Sequence, residues 1–177
     1  RQRQMCIRDR LAAANGDYPV YYPKEGWAEQ NPEEWWSAVC GAVRQVIEEA
    51  SVAPEEIAGV GIDGQSWSAI AMDKDGNVLT NTPIWMDTRA QSICDRLNEE
   101  IGAEQIFEVS GNSLQPSYTT AKILWYKENL PEVYQRIHKI LQSNSYIAYK
   151  LTGVMSQDVS QGYGLHCFDM RLSLIHI

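Results

Sequence analysis

No apolar stretch in this 177-residue sequence approaches the roughly 20 residues of a membrane-spanning helix, and its first segment lacks the hydrophobic centre of a secretory signal. The expectation is a soluble, unsecreted protein of the cytoplasm. Basic charge is scarce as well: 15 Lys and Arg against 23 Asp and Glu leave a formal charge of −8, with a pI near 4.9. Such a surface repels phosphate backbones and acidic membranes, so neither nucleic acid nor membrane is an expected partner. The chain has no Gly-x-x-x-x-Gly-Lys loop and no Gly-x-Gly-x-x-Gly after a strand, so nothing in it cradles a triphosphate. His138 and His166 stand far apart and outside any His-Glu-x-x-His context, which argues for ordinary structural histidines and against a metal site or a catalytic triad. What is present is a 44% hydrophobic, 21% charged composition, enough for one sizeable core: one globular domain or part of a larger one.

The two ends read as foreign to that domain. Arg1–Arg10 holds four of the 15 basic residues, and Leu172–Ile177 is an apolar stub without turn or capping residues. Met5–Arg10 can be encoded ATG TGT ATA AGA GAC AG, and Leu172–Ile177 can be encoded CTG TCT CTT ATA CAC ATC. Apart from the last base, one is the reverse complement of the other. That relation resembles a transposon-end sequencing adapter read through at both ends of a DNA insert, and such segments are excluded from fold reasoning. The expected native part is residues 11–171, an internal fragment of a longer protein, with 1–10 and 172–177 as adapter translation. Setting aside Arg1, Arg3, Arg8, Arg10 and Asp9 takes the charge from −8 to −11. Cys40, Cys94 and Cys167 remain, an odd number at wide spacing that suits neither a disulfide framework nor a zinc knuckle.

Strand-like and helix-like segments alternate along the native part, which predicts an α/β layered domain. Tyr18–Tyr22 reads as a short edge strand before a Pro-Lys-Glu-Gly turn. Asn31 caps a helix with Pro32 at its first position, and its apolar stripe runs Trp35, Val39, Val43, Val46, Ile47, Ala50. Ile57–Ile62, with two glycines, predicts a buried central strand closely approached by another backbone. Ser68–Met72 and Val78–Thr80 flank an Asp-Gly hairpin turn. Pro83–Trp85 is a further short strand, and Asp87 or Thr88 caps a helix carrying Ala90, Ile93, Cys94, Leu97 and Ile101, ended by Gly102. Helices over 119–129 and 131–137, a strand over 139–142 and a last helix from Ser143 or Asn144 to Gly153 complete the pattern.

Three clusters depart from core logic. Gln65, Ser66 and Trp67 lie at the carboxyl end of the expected central strand, where open α/β sheets bind ligands. An amide, a hydroxyl and an indole suit a polyol, pairing with its hydroxyls and covering its C–H face; a turn with one buried tryptophan is the plain alternative. Trp85, Asp87 and Arg89 form the second cluster, with Trp85 the ligand candidate and Asp87 read first as a helix cap. The third is Ser117-Tyr118-Thr119-Thr120-Ala121-Lys122, read as exposed hydroxyls and a lysine ahead of an apolar stripe, where capping by Thr119 competes with substrate contact.

In this order the clusters resemble the FGGY family of carbohydrate kinases, together with GWAEQNPEEWW, GIDGQSWSAIAMDKDGNVL, PIWMDTRA, SYTTAKILWYKEN and TGVMSQDVS. The run Ser117-x-Thr119-x-x-Lys122-Ile123-x-Trp125 is close to a family signature, departing at Tyr126, where an aliphatic residue or phenylalanine is usual. The resemblance implies an actin-like, RNase H-like ATPase domain, incomplete here, with the first strands and the second domain missing. It implies transfer of the γ-phosphoryl of MgATP to a sugar or polyol hydroxyl, most simply of D-xylulose or a related pentulose, with glycerol or another polyol behind it. It implies substrate contacts at Gln65, Ser66, Trp67, Trp85, Ser117 and Tyr118, and a first reading of Asp158 and Ser160 as structural. Gln65-Ser66-Trp67-Ser68 departs from the Gln-Met-His-Gly often shown by xylulose kinases of the family. The family's Asp-x-Gly-Thr phosphate loop and glycine-preceded catalytic aspartate are expected outside this chain. No catalytic residue and no metal ligand is therefore assigned in it, the fragment alone is expected to be inactive, and a homodimer is an expectation for the parent enzyme. Two other classes use similar residues: a glycoside hydrolase, for which no carboxylate pair is singled out, and a non-catalytic sugar-binding module with the same stacking residues.

Overall fold

Helix α1 spans Pro32–Ala50, with proline, which has no N–H to leave unpaired, at its first position and Glu33 and Glu34 in its first turn, where the helix dipole favours acids. It lies in a computed structural model that describes residues 10–166, 168–169 and 174–175. The described chain divides into two units. The smaller joins residues 10–18 to 33–61. In it Gly16 comes so close to α1 that a Cβ there would stand 2.8 Å from the carbonyl oxygen of Ala38. The Tyr18 ring meets the buried Trp35 edge-on, with ring centroids 6.4 Å apart. The expected stripe is only partly covered: Trp35 is 5% exposed and Val43 49%.

The same unit corrects one expectation. Residues 57–62 form no strand, Ile57 and Val60 are exposed, and no outside atom comes within 4 Å of where a Cβ would stand on Gly59 or Gly61. The run has the composition of a buried strand. A strand, however, exists only where a neighbouring backbone takes its N–H and C=O groups, and no such partner lies alongside among the described residues.

The larger unit holds residues 19–32 and the described residues from 62 onward. The expected strand over 18–22 shrinks to one antiparallel bridge between Tyr21 and Glu29. Strand β1 (Glu29–Gln30) pairs antiparallel with β3 (Thr82–Pro83), and β2 (Ile70–Met72) pairs antiparallel with β4 (Lys139–Leu141), Ile70 opposite Leu141. The Asp-Gly hairpin forms as expected: Met72 bridges Val78, Gly76 takes φ +86°, and one oxygen of Asp73 accepts from the backbone of Asp75 and Asn77.

Helix α2 (Gln91–Leu97) leads through a π-helical turn (Asn98–Gly102) into α3 (Ala103–Ser110), a helix the sequence pattern did not single out. Helix α4 covers Thr119–Asn129, α5 covers Pro131–Tyr134, and α6 covers Ser143–Thr152, ending at Gly153 with φ +74°. The core lies between the β2–β4 ribbon and helices α2 and α4, around Ala69, Ala71, Ile93, Cys94, Trp125 and Tyr126. A 3-10 turn (Val159–Leu165) follows, and a last antiparallel pair joins β5 (Phe168–Asp169) to β6 (Leu174–Ile175). The segments assigned to adapter translation fall outside the described residues except for Arg10 and Leu174–Ile175. No described helix is long and apolar enough to cross a membrane.

Candidate functional site

The three sequence clusters meet at the N-terminal half of α4. Trp67 occupies the left-handed region with φ +66°. A bulky side chain in that region is strained by about 1–3 kcal/mol and persists only where its surroundings hold it. The holding groups come from three distant stretches of chain: the start of α4, the residue before α6, and the 3-10 turn that follows α6. The Trp67 N–H donates to Oε1 of the fully buried Gln142 at 3.0 Å, and its carbonyl accepts from Nζ of Lys122 at 2.8 Å. The indole stacks at a tilt on Tyr118, centroids 4.8 Å apart, and its other neighbour is Gly164, where an added Cβ would stand 2.3 Å from the ring. Gln142 also donates from Nε2 to the Gln161 carbonyl, which ties the 3-10 turn to the same place.

Around Trp67, Gln65 donates from Nε2 to Oε1 of Gln30 at 2.8 Å, and its carbonyl accepts the Ser143 hydroxyl at 2.7 Å. Ser66, Ser117 and Tyr118 are half-buried. Trp85 is 51% exposed, an indole offered to solvent directly after Ile84. The structure therefore brings Trp67 into ring contact with Tyr118 and presents Trp85 on the surface. Gln65–Trp67 lies on a loop entering β2 and not at the end of a central strand, because that strand does not form.

Two readings of the clusters are corrected. Asp87 caps no helix; α2 starts four residues on, after Ala90. Its fully buried carboxylate accepts from the backbone N–H of Ala28 at 2.7 Å and from Nε of Arg89 at 2.9 Å. Arg89 also pairs with Glu29 at 2.8 Å, and its guanidinium lies 3.8 Å over the Trp27 ring, which is edge-on to Trp125. These carboxylates hold the Arg89 pKa above its ordinary value against the cost of burial. Thr119 and Lys122 are not exposed but fully buried. The Thr119 hydroxyl donates to the Ser68 carbonyl instead of capping α4. Lys122 reaches from α4 into the core, and desolvation lowers its pKa to about 7.

Asp158 does cap: its Oδ1 accepts from the Ser160 N–H at 2.9 Å at the start of the 3-10 turn, and those hydrogen bonds lower its pKa. His166, set aside by sequence reasoning, stacks on Tyr118 with centroids 5.5 Å apart. Burial lowers its pKa, and its Nε2 lies 3.4 Å from the Ser113 carbonyl. Gln142 was also missed; a glutamine inside the polar run Gln-Ser-Asn-Ser carries no local signal of burial.

A cavity of about 260 Å³ is lined by Thr120 and His166 together with Leu97, Ile101, Ile106, Val109 and Leu114. Its walls are apolar, in contrast to the aromatic and amide surface at Trp67. Among the described residues no group of three or more His, Cys, Asp or Glu is arranged to hold a metal ion.

Comparison with known proteins gives the family. Residues 8–173 match the model of the FGGY family of carbohydrate kinases, N-terminal domain. The chain belongs to that family. It is 31% identical over 83% of its length to the xylulose kinase of Bacillus subtilis, covering 29% of that protein. It is 28% identical over 93% of its length to the glycerol kinase of Thermococcus kodakarensis, covering 35% of it. Among solved structures, the xyloylose kinase of Brucella ovis superposes with a TM-score of 0.77 at 29% identity, over 87% of this chain and 31% of the other. The fold is thus part of the actin-like ATPase domain of FGGY sugar kinases, and the chain spans about a third of the length of the proteins it matches.

Proposed function

We propose that this chain is the sugar-recognition portion of an ATP-dependent carbohydrate kinase of the cytoplasm that phosphorylates a hydroxyl of D-xylulose or a related pentulose. Residues 11–171 are its native part. One observation carries the reading: a tryptophan held at positive φ by Gln142, Lys122, Tyr118 and Gly164. Strain of that kind is kept at ligand sites because it aims a side chain where a relaxed backbone would not. Gln65, Ser66, Trp67, Trp85, Ser117 and Tyr118 form the substrate-contact set, the indoles covering the C–H face of the sugar and the amide and hydroxyls meeting its oxygens. The similarity to a glycerol kinase keeps glycerol as the second reading.

The described residues do not fit MgATP, having neither a glycine-rich phosphate loop in the sequence nor a carboxylate cluster, so the role of this chain is binding and orientation. The purified chain is expected to release no ADP from ATP in the presence of D-xylulose, measured in a coupled assay; sugar-dependent turnover would overturn this. In an enzyme completed with the rest of a family member, Trp67→Ala should raise the KM for the sugar about tenfold, one stacking contact of 1–1.5 kcal/mol. An unchanged KM removes Trp67 from the site. A titration panel of D-xylulose, D-ribulose and glycerol, followed by the six tryptophan indole N–H signals, separates the two readings by which ligand binds tightest.

A further inference from the structure

Lys122 is fully buried, and its Nζ makes two hydrogen bonds of 2.8 Å, one to the carbonyl of Trp67 and one to the carbonyl of Ile84. Those acceptors belong to the two loops that carry the exposed and strained indoles: Trp67 itself, and the residue directly before Trp85. Lys122 stands one helical turn after Tyr118, whose ring packs on Trp67, and its own N–H points back to the Tyr118 carbonyl at 3.5 Å. One amine therefore links all three clusters from 55 and 38 residues away along the chain. A lysine is an expensive choice for a purely structural filler, since a buried apolar side chain of similar length would carry no desolvation cost. What the amine does that a methionine cannot is hold two carbonyls at a set separation.

We propose that Lys122 is a positioning residue for sugar recognition, fixing the Trp67 and Trp85 loops in register so that both indoles face one ligand. The proposal rests on the reading of that surface as the sugar site. Two carbonyl acceptors match the two N–H donors of a neutral amine, in keeping with the desolvation that lowers this pKa to about 7. The charges that act on it are Asp87, which favours protonation, and Arg89, which opposes it.

The test uses the 177-residue chain labelled for NMR and titrated with D-xylulose. Wild type is expected to shift the Trp67 and Trp85 indole signals together. Lys122→Met should raise the dissociation constant at least tenfold and uncouple the two signals. Ile93→Ala, a core truncation in α2 that removes no hydrogen bond to either loop, should lose stability yet leave the dissociation constant within twofold. Equal loss of affinity in both variants assigns Lys122 a general structural role and overturns the proposal, as does unchanged affinity in Lys122→Met. A second readout needs no variant: on titrating wild type through pH 7, the backbone carbonyl carbons of Trp67 and Ile84 should move with one common midpoint. Separate midpoints, or no movement, overturn the clamp even where Lys122→Met fails to fold. If wild type shows no sugar-dependent shift while the two carbonyls still titrate together, it is the sugar-site reading that fails, and the positioning role falls with it.

Discussion

Asp87→Asn is expected to destabilise the larger unit by about 3–5 kcal/mol, the cost of leaving a buried charge without its partner. Arg89 is 3% exposed, gripped by Asp87 and Glu29 and stacked on Trp27, so it cannot turn to water when one carboxylate is lost. Asparagine keeps the shape and can still accept from the Ala28 N–H, which isolates the charge as the cause. Glu29, 15% exposed in its side chain, compensates only in part. A loss of this size is a large fraction of the 5–15 kcal/mol that usually holds a domain together. Urea unfolding followed by tryptophan fluorescence measures it. A second variant, Asp87→Leu with Arg89→Met, removes both charges and should recover most of the loss. A midpoint for Asp87→Asn within about 0.5 kcal/mol of wild type would mean that the pair contributes nothing.

Stability should rise with pH between 7 and 9 by about 2 kcal/mol, and Lys122 is the reason. Its pKa is lowered by burial from 10.5 to about 7 in the folded chain. Over that window the unfolded chain keeps the proton and the folded chain releases it, so increasing pH favours the folded state. Three other groups bound the window. The Cys94 thiol is pushed up from 9.0 to about 11 by desolvation, and burial also raises Tyr126; both withdraw stability once their unfolded counterparts ionise, above about pH 9. His166, lowered from 6.5 by burial, acts below it. Lys122→Met should abolish the rise. Urea midpoints at pH 7, 8 and 9 decide the matter: a flat or falling wild-type profile is incompatible with a buried amine titrating near neutrality.

Most of the local pattern was legible in the residues. Pro32 opened α1, Gly153 closed α6, Asp73 to Asn77 made the hairpin, and Thr119–Asn129 was a helix to the residue. These signals are local: a ring that fixes φ, a glycine that tolerates positive φ, a side chain that bonds its own turn. The failures share the opposite character. Ile57–Ile62 has strand composition but no neighbour, Asp87 has capping chemistry but an arginine within reach, and Lys122 looks like a surface residue in a run of hydroxyls.

The family, the turns and every helix but α3 were thus contained in residue order, because motif spacing and backbone preference need only a few neighbours. Which polar groups would be buried was not. Trp67 at positive φ, Lys122 between two carbonyls and Arg89 between two carboxylates each depend on partners 38 to 75 residues away, or on a pair closed by Glu29 from 60 residues upstream. Only folding brings those partners within 3 Å, and at that distance the hydrogen bonds and charges outweigh what each residue prefers alone.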